Sequence, residues 1–143
     1  MTPILKSFLV GVAILALAIP AAAQQAPARQ TQAESKEAVP AYNIKDEIKL
    51  TGTIQQIKEY ECPISGTVGT HLLLKVDGEH YEVHVAPLKF LEEYGIKLQP
   101  GDQITLLGVK VTFRNAPALL ARGIERENDV FYFRDKKGRP LWR

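Results

Sequence analysis

The chain has 143 residues, 18 basic and 16 acidic side chains, a net charge of +2, three histidines and a single cysteine. A charge so close to balance supplies no strong field for nucleic acid or for an anionic membrane. One cysteine cannot close an internal disulfide, so an exported domain of this size must be held by packing, and Cys62 is an intermolecular bridge between two copies, an inert thiol or a ligand.

Residues 1–23, MTPILKSFLVGVAILALAIPAAA, carry Lys6, an apolar run over 8–19, then Pro20 and the small residues Ala21 and Ala23. This is the pattern of a secretory signal peptide cut before Gln24. The run is short for a bilayer span of about 20 residues, so the mature protein is expected in the periplasm or outside the cell, free of the membrane once cleaved. Cleavage removes one lysine and leaves 17 basic against 16 acidic side chains. Residues 24–43 are rich in Gln, Ala and Pro without apolar periodicity. Such a segment buries too little surface to offset its ordering entropy and is expected to be a disordered tether. Residues 44–143 are enough for one small core.

From Glu47 the pattern is that of a strand, with Ile48, Leu50, Gly52 and Ile54 in one phase and Ile57 out of it. The slip predicts a bulge around Gln55 and Gln56 that bends one long strand, as a small closed barrel needs. Residues 70–86, THLLLKVDGEHYEVHVA, read as a hairpin around Asp77 and Gly78. Leu72, Leu74, Val76, Tyr81, Val83 and Val85 form its expected buried face, with Leu72 opposite Val83 and Leu74 opposite Tyr81. Residues 87–94, PLKFLEEY, predict a short helix with Pro87 at its start and Gly95 ending it. A fourth strand follows Pro100-Gly101-Asp102, with Ile104 and Leu106 in one phase and Val109, Val111 and Phe113 in another after Gly108. Residues 117–125 give a fifth strand. Residues 130–142 predict an added hairpin turned at 135–138, packing Phe131, Phe133 and Trp142 on the barrel.

The order is three strands, a helix and two strands, with an LTGTI start and a GDQITLLG lead into the fourth strand. Over residues 48–125 it resembles the OB-fold, an all-β, five-stranded Greek-key barrel that binds oligonucleotides and oligosaccharides. With VHVAPLKFL and RDKKGRPLW and the signal peptide, the chain is similar to small exported bacterial OB-fold proteins. The resemblance implies a binding surface rather than a reaction.

With the buried face fixed, His71, Leu73 and Lys75 and then His80, Glu82 and His84 are left on the other, outward face of the hairpin. His71 stands opposite His84, where Cβ atoms are about 4.5–5.5 Å apart. His80 and His84 are not a pair, because in a strand they are about 13 Å apart. Cys62, expected in the loop leading to the second strand, can fold back over His71, and Glu82 is an auxiliary fourth ligand. A thiolate with two imidazoles suits zinc or copper over harder ions. Ordinary surface histidines and a buried loop thiol account for the same residues. A second use of this face is an oligosaccharide, an envelope partner or single-stranded nucleic acid, for which Tyr60, Lys58, Lys75 and Arg122 are the candidate contacts. The charge balance and the single candidate stacking ring argue against nucleic acid. No nucleophile elbow, phosphate loop or oxyanion-hole motif is present, so no catalysis is expected.

Overall fold

The computed structural model describes residues 37–142, so the expected signal peptide and residues 24–36 of the expected tether lie outside the described residues. The alternation that begins at Ile48 becomes β1 (Glu47–Cys62), a strand of 16 residues. Its first half pairs with β4 (Gln103–Phe113) and its second half with β2 (Thr67–Val76), both antiparallel. The register slips between Ile54 and Gln56, where the sequence shifts phase. One strand thereby serves two sides of the barrel.

β2 turns through Asp77 and Gly78 into β3 (Glu79–Pro87), with Leu72 facing Val83, Leu74 facing Tyr81 and His71 facing His84. Leu72, Leu74, Val76, Val83 and Val85 are buried in the main core with Ile54, Ile104, Leu106, Leu119 and Ile124. Tyr81 is only half-buried at the rim, its hydroxyl donating to Glu79 Oε2 at 2.7 Å.

The helix α1 (Leu88–Glu93) starts one residue later than expected, with Pro87 as its cap, and lays Phe90 and Leu91 on the core. Gly95 N–H donates to the Glu92 carbonyl and Ile96 N–H to the Leu91 carbonyl, which satisfies the last turn and ends the helix. β4 then pairs with β5 (Ala116–Arg126), and β5 closes the barrel by pairing parallel with β3 at Val83–Leu119 and His84–Leu120. The order β3-β2-β1-β4-β5 with that closure is the OB-fold barrel.

The C-terminal segment turns back on itself at 135–138 as expected, with Leu141 N–H donating to the Phe133 carbonyl, and its first residues also join the sheet. β6 (Asp129–Tyr132) adds to the edge of β5, and residues 134–140 make a tight turn with one bridge between Arg134 and Pro140. Asp135 accounts for the turn, because its carboxylate accepts from the backbone N–H of Lys137 and Arg139. Phe133 is buried in the core and Trp142 packs partly against it, as the sequence implies. The buried Arg134 guanidinium lies 5.1 Å from the Tyr42 ring and 5.2 Å from the Trp142 ring. That stack pins the last residues of the expected tether to the domain.

Gly108 sits at the register shift of β4, where a Cβ would collide with the Leu120 carbonyl oxygen of the neighbouring strand. Since backbone cannot retreat as a side-chain tip can, Gly108→Ala is expected to destabilise the domain by about 1–3 kcal/mol. Urea unfolding checks it, and an unchanged midpoint would contradict the close approach.

Candidate metal centre

Cys62 is at the end of β1, paired with Thr67, not in the loop where the sequence was read to place it. The bulge at Gln55 explains both its position and its direction. Without the extra residue Lys58, Tyr60 and Cys62 would share the phase of Ile54; with it Ile57 takes the core side and those three turn to the face of His71 and His84. Three neighbouring strands therefore each deliver one ligand. The donor atoms of Cys62, His71 and His84 all lie within 4.8 Å of one another.

That face is not open to solvent as expected. Cys62, His71 and His84 retain 3%, 2% and 5% of their exposure. The physical reason is the parallel closure, which brings β5 and the end of β4 over β3. Phe113, Ala118 and Leu120 pack with Ile64, Val109 and Cys62 into a second apolar cluster outside the barrel. The sequence carried the signal in residues 118–121, ALLA, an uninterrupted apolar run of the kind a strand buried on both faces requires.

Within the cluster Cys62 Sγ lies 3.5 Å from Nδ1 of His84. Bonds of about 2.3 Å to sulfur and 2.0–2.1 Å to nitrogen put S and N donors on a shared ion about 3.5–3.8 Å apart. One edge of the triangle already has that length, and closing the rest takes roughly 1 Å of side-chain movement. The Tyr60 ring stacks on His71 with centroids 3.8 Å apart and planes 5° apart, His71 meets His84 edge-on at 4.6 Å, and Phe113 meets His84 edge-on at 5.2 Å. The imidazoles are thus wedged in place before any ion arrives. Nδ1 of His71 is buried without a hydrogen-bond partner among the described residues, which is costly unless a ligand or ion supplies one. A cavity of about 10 Å³ lies where Cys62, His71 and His84 converge with Ile64 and Ala86.

Glu82 is not among the converging ligands. Its carboxylate accepts from the Tyr60 hydroxyl and lies 3.9 Å from Nε2 of His84, on the side of that ring away from Cys62. Burial and the bond to Glu82 raise the Tyr60 hydroxyl well above the ordinary range, so it stays a donor. A carboxylate at the far nitrogen of a ligating imidazole fixes which nitrogen is free to bind. The other candidate contacts are not gathered. Lys58 and Lys75 are exposed on β1 and β2, His80 stands exposed opposite Lys75, and Arg122 on β5 is neutralised by Glu47 at 2.5 Å. Tyr60 spends its face on His71 and offers no free stacking platform. Cys62, at 3% exposure, is not presented for a disulfide to a second copy.

Burial lowers the basicity of both imidazoles, and the neighbouring His71 further depresses His84, to about 4 from 6.5, against the opposing pull of Glu82. Both are neutral near pH 7, the state a metal requires. A histidine depressed in the folded state takes up more protons when unfolded, so its contribution is full above the unfolded value and is lost as pH falls towards the folded one. The metal-free protein is expected to lose about 2 kcal/mol between about pH 7 and pH 5 through His84 alone. Urea midpoints across that range test this, and a flat profile that His84→Gln leaves unchanged would refute it.

Residues 46–131 match the MamS/MamX magnetosome protein family. No curated protein matches the chain. Among solved structures it is similar to the Stn1-Ten1 complex of S. pombe, with 22% identity, a TM-score of 0.46, and 58% of this chain and 59% of that one covered. It is also similar to the N-terminal domain of PriB from Thermoanaerobacter tencongensis, with 15% identity, a TM-score of 0.48 and coverage of 59% and 99%. A third is the single-stranded DNA binding protein of Thermus aquaticus, with 24% identity, a TM-score of 0.46 and coverage of 59% and 41%. These are likenesses of backbone shape and transfer no ligand.

Proposed function

The chain belongs to the MamS/MamX magnetosome protein family, and from that premise we propose that its barrel is an exported, non-catalytic binding module that holds one thiophilic transition-metal ion between Cys62, His71 and His84. The observation that carries the reading is the convergence of one thiolate and two neutral, buried imidazoles from three hydrogen-bonded strands within 4.8 Å. Soft sulfur with imidazole nitrogen favours copper or zinc over magnesium or calcium. The converging group holds no carboxylate of the kind that harder ions need.

The signal-like N-terminal segment supports a location outside the cytoplasm. Nucleic acid finds less support, since the basic side chains are scattered and Tyr60 is already stacked.

Titration of the purified protein with Cu(I), Cu(II) and Zn²⁺ is expected to show one ion per chain. Cys62→Ser and the double variant His71→Ala, His84→Ala should weaken binding by more than the roughly 100-fold that outer-shell changes cost. Free ion at 100 times its dissociation constant should stabilise the parent against urea by about 2.7 kcal/mol and leave the double variant unmoved. Equal stoichiometry and affinity in parent and variants would sink the site.

A further inference from the structure

Resting on that reading of the site, we infer that its ion is copper and that the centre transfers single electrons, cycling between Cu(I) and Cu(II) without changing its ligands. Three features of the cluster point this way together.

The first is the donor set. One thiolate and two imidazoles, with no further cysteine, histidine or carboxylate in the group among the described residues, is the His₂Cys set of copper electron-transfer proteins. Zinc in a three-ligand site keeps a water or substrate in its fourth position. The space where the three donors converge is about 10 Å³, room for one small ion or one water. With no carboxylate in the group, the set suits a soft ion over a harder one.

The second is rigidity. Cys62, His71 and His84 stand on β1, β2 and β3 in continuous ladders, and stacked or edge-on rings wedge both imidazoles. A packed interior of this kind does not deform continuously. The two oxidation states would have to share one geometry, which lowers the cost of moving an electron.

The third is a path. His84 is the one ligand that touches both the inner cavity and a separate surface cleft of about 180 Å³, which Tyr60, Phe113, Arg114 and Pro117 also line. Nδ1 faces Cys62, while Nε2 faces Glu82 at the cleft. The imidazole therefore joins the ion to the surface through one ring. In the step itself Cu(II) takes one electron and becomes Cu(I), while a one-electron carrier at the cleft is oxidised by one. No bond to copper is made or broken and no proton need move. The Glu82 carboxylate beside His84 favours the more positive, oxidised state and so acts as a positioning residue that tunes the potential.

The test is to add Cu(II) to the reduced, purified protein, then titrate with ascorbate and back with hexacyanoferrate(III), following absorbance and electron spin resonance. A thiolate-to-copper charge-transfer band in the visible, bleached and restored over several cycles with the copper retained and the thiol count unchanged, is the expected result. Cys62→Ser should lose the band. Glu82→Gln should keep the band and the copper content but show a higher reduction potential, which a purely structural role for Glu82 would not produce. Retention of zinc or Cu(I) with no band from Cu(II), or loss of the thiol on the first cycle, would overturn the electron-transfer inference while leaving metal binding standing. Failure to hold any of the three ions would overturn both. An unshifted potential in Glu82→Gln would overturn the role of Glu82 in tuning the potential.

Discussion

Two residue pairs, Val83 with Leu119 and His84 with Leu120, close the barrel by joining β3 to β5 in parallel. Before that closure β3 is the edge of a hairpin, with one face on the core and the other wet. After it β3 is an interior strand, and whatever stands on its outer face is roofed by β5 and the end of β4. The closure therefore determines the electrostatics of His84 as much as the shape of the domain. An imidazole that would titrate normally on an open strand is desolvated and held neutral, and a thiol at the strand corner becomes part of a dry cluster. The apolar residues around it, Ile64, Phe113, Ala118 and Leu120, both pack the cluster and keep it from solvent.

Local signals in the sequence were enough for most of the scaffold. Asp77-Gly78 sets the β2–β3 turn and with it the facing of His71 and His84. The phase slips at Ile54 and Gly108 mark both bends. What could not be read was long-range. Nothing within residues 58–62 says that β1 runs on to Cys62, because Lys58, Glu59 and Glu61 are exposed and the strand continues only by pairing with residues 67–71. Burial of the histidines depends on β5, some 35 residues further along, and the cue was the unbroken apolar run there rather than anything in the hairpin. In the C-terminal segment the turn at 135–138 was legible, while the pairing of β6 with β5 was not, for a related reason. Its apolar residues were legible as packing, but that residues 129–132 extend the sheet as an edge strand is decided by β5.

Glu82 stands on the face of the cluster but outside the group of converging donors. Its alternation with His80 and His84 places it on the right face, and a carboxylate there reads as a ligand. The Tyr60 hydroxyl decides otherwise. Tyr60 uses its ring on His71 and its hydroxyl on Glu82, so one side chain braces both imidazoles, one directly and one through the carboxylate. The pair forms the outer wall of the cluster on its solvent side, where the scaffold alone would have left it thin. Family membership and barrel shape say nothing about this wall, which follows from the identities of two residues on two strands.

The bulge between Ile54 and Gln56 has a consequence for how such a site is inherited. Cys62 faces the histidines because of a residue count and not because of any side chain near it. A related chain could keep the cysteine and both histidines and still lack the cluster if it had one residue fewer between Gly52 and Tyr60. Another could acquire the cluster from an inert barrel by gaining one. The spacing between the bulge and the thiol is thus a heritable part of the cluster, as much a determinant as its three side chains, and an insertion or deletion there would make or break the cluster while leaving the barrel itself in place.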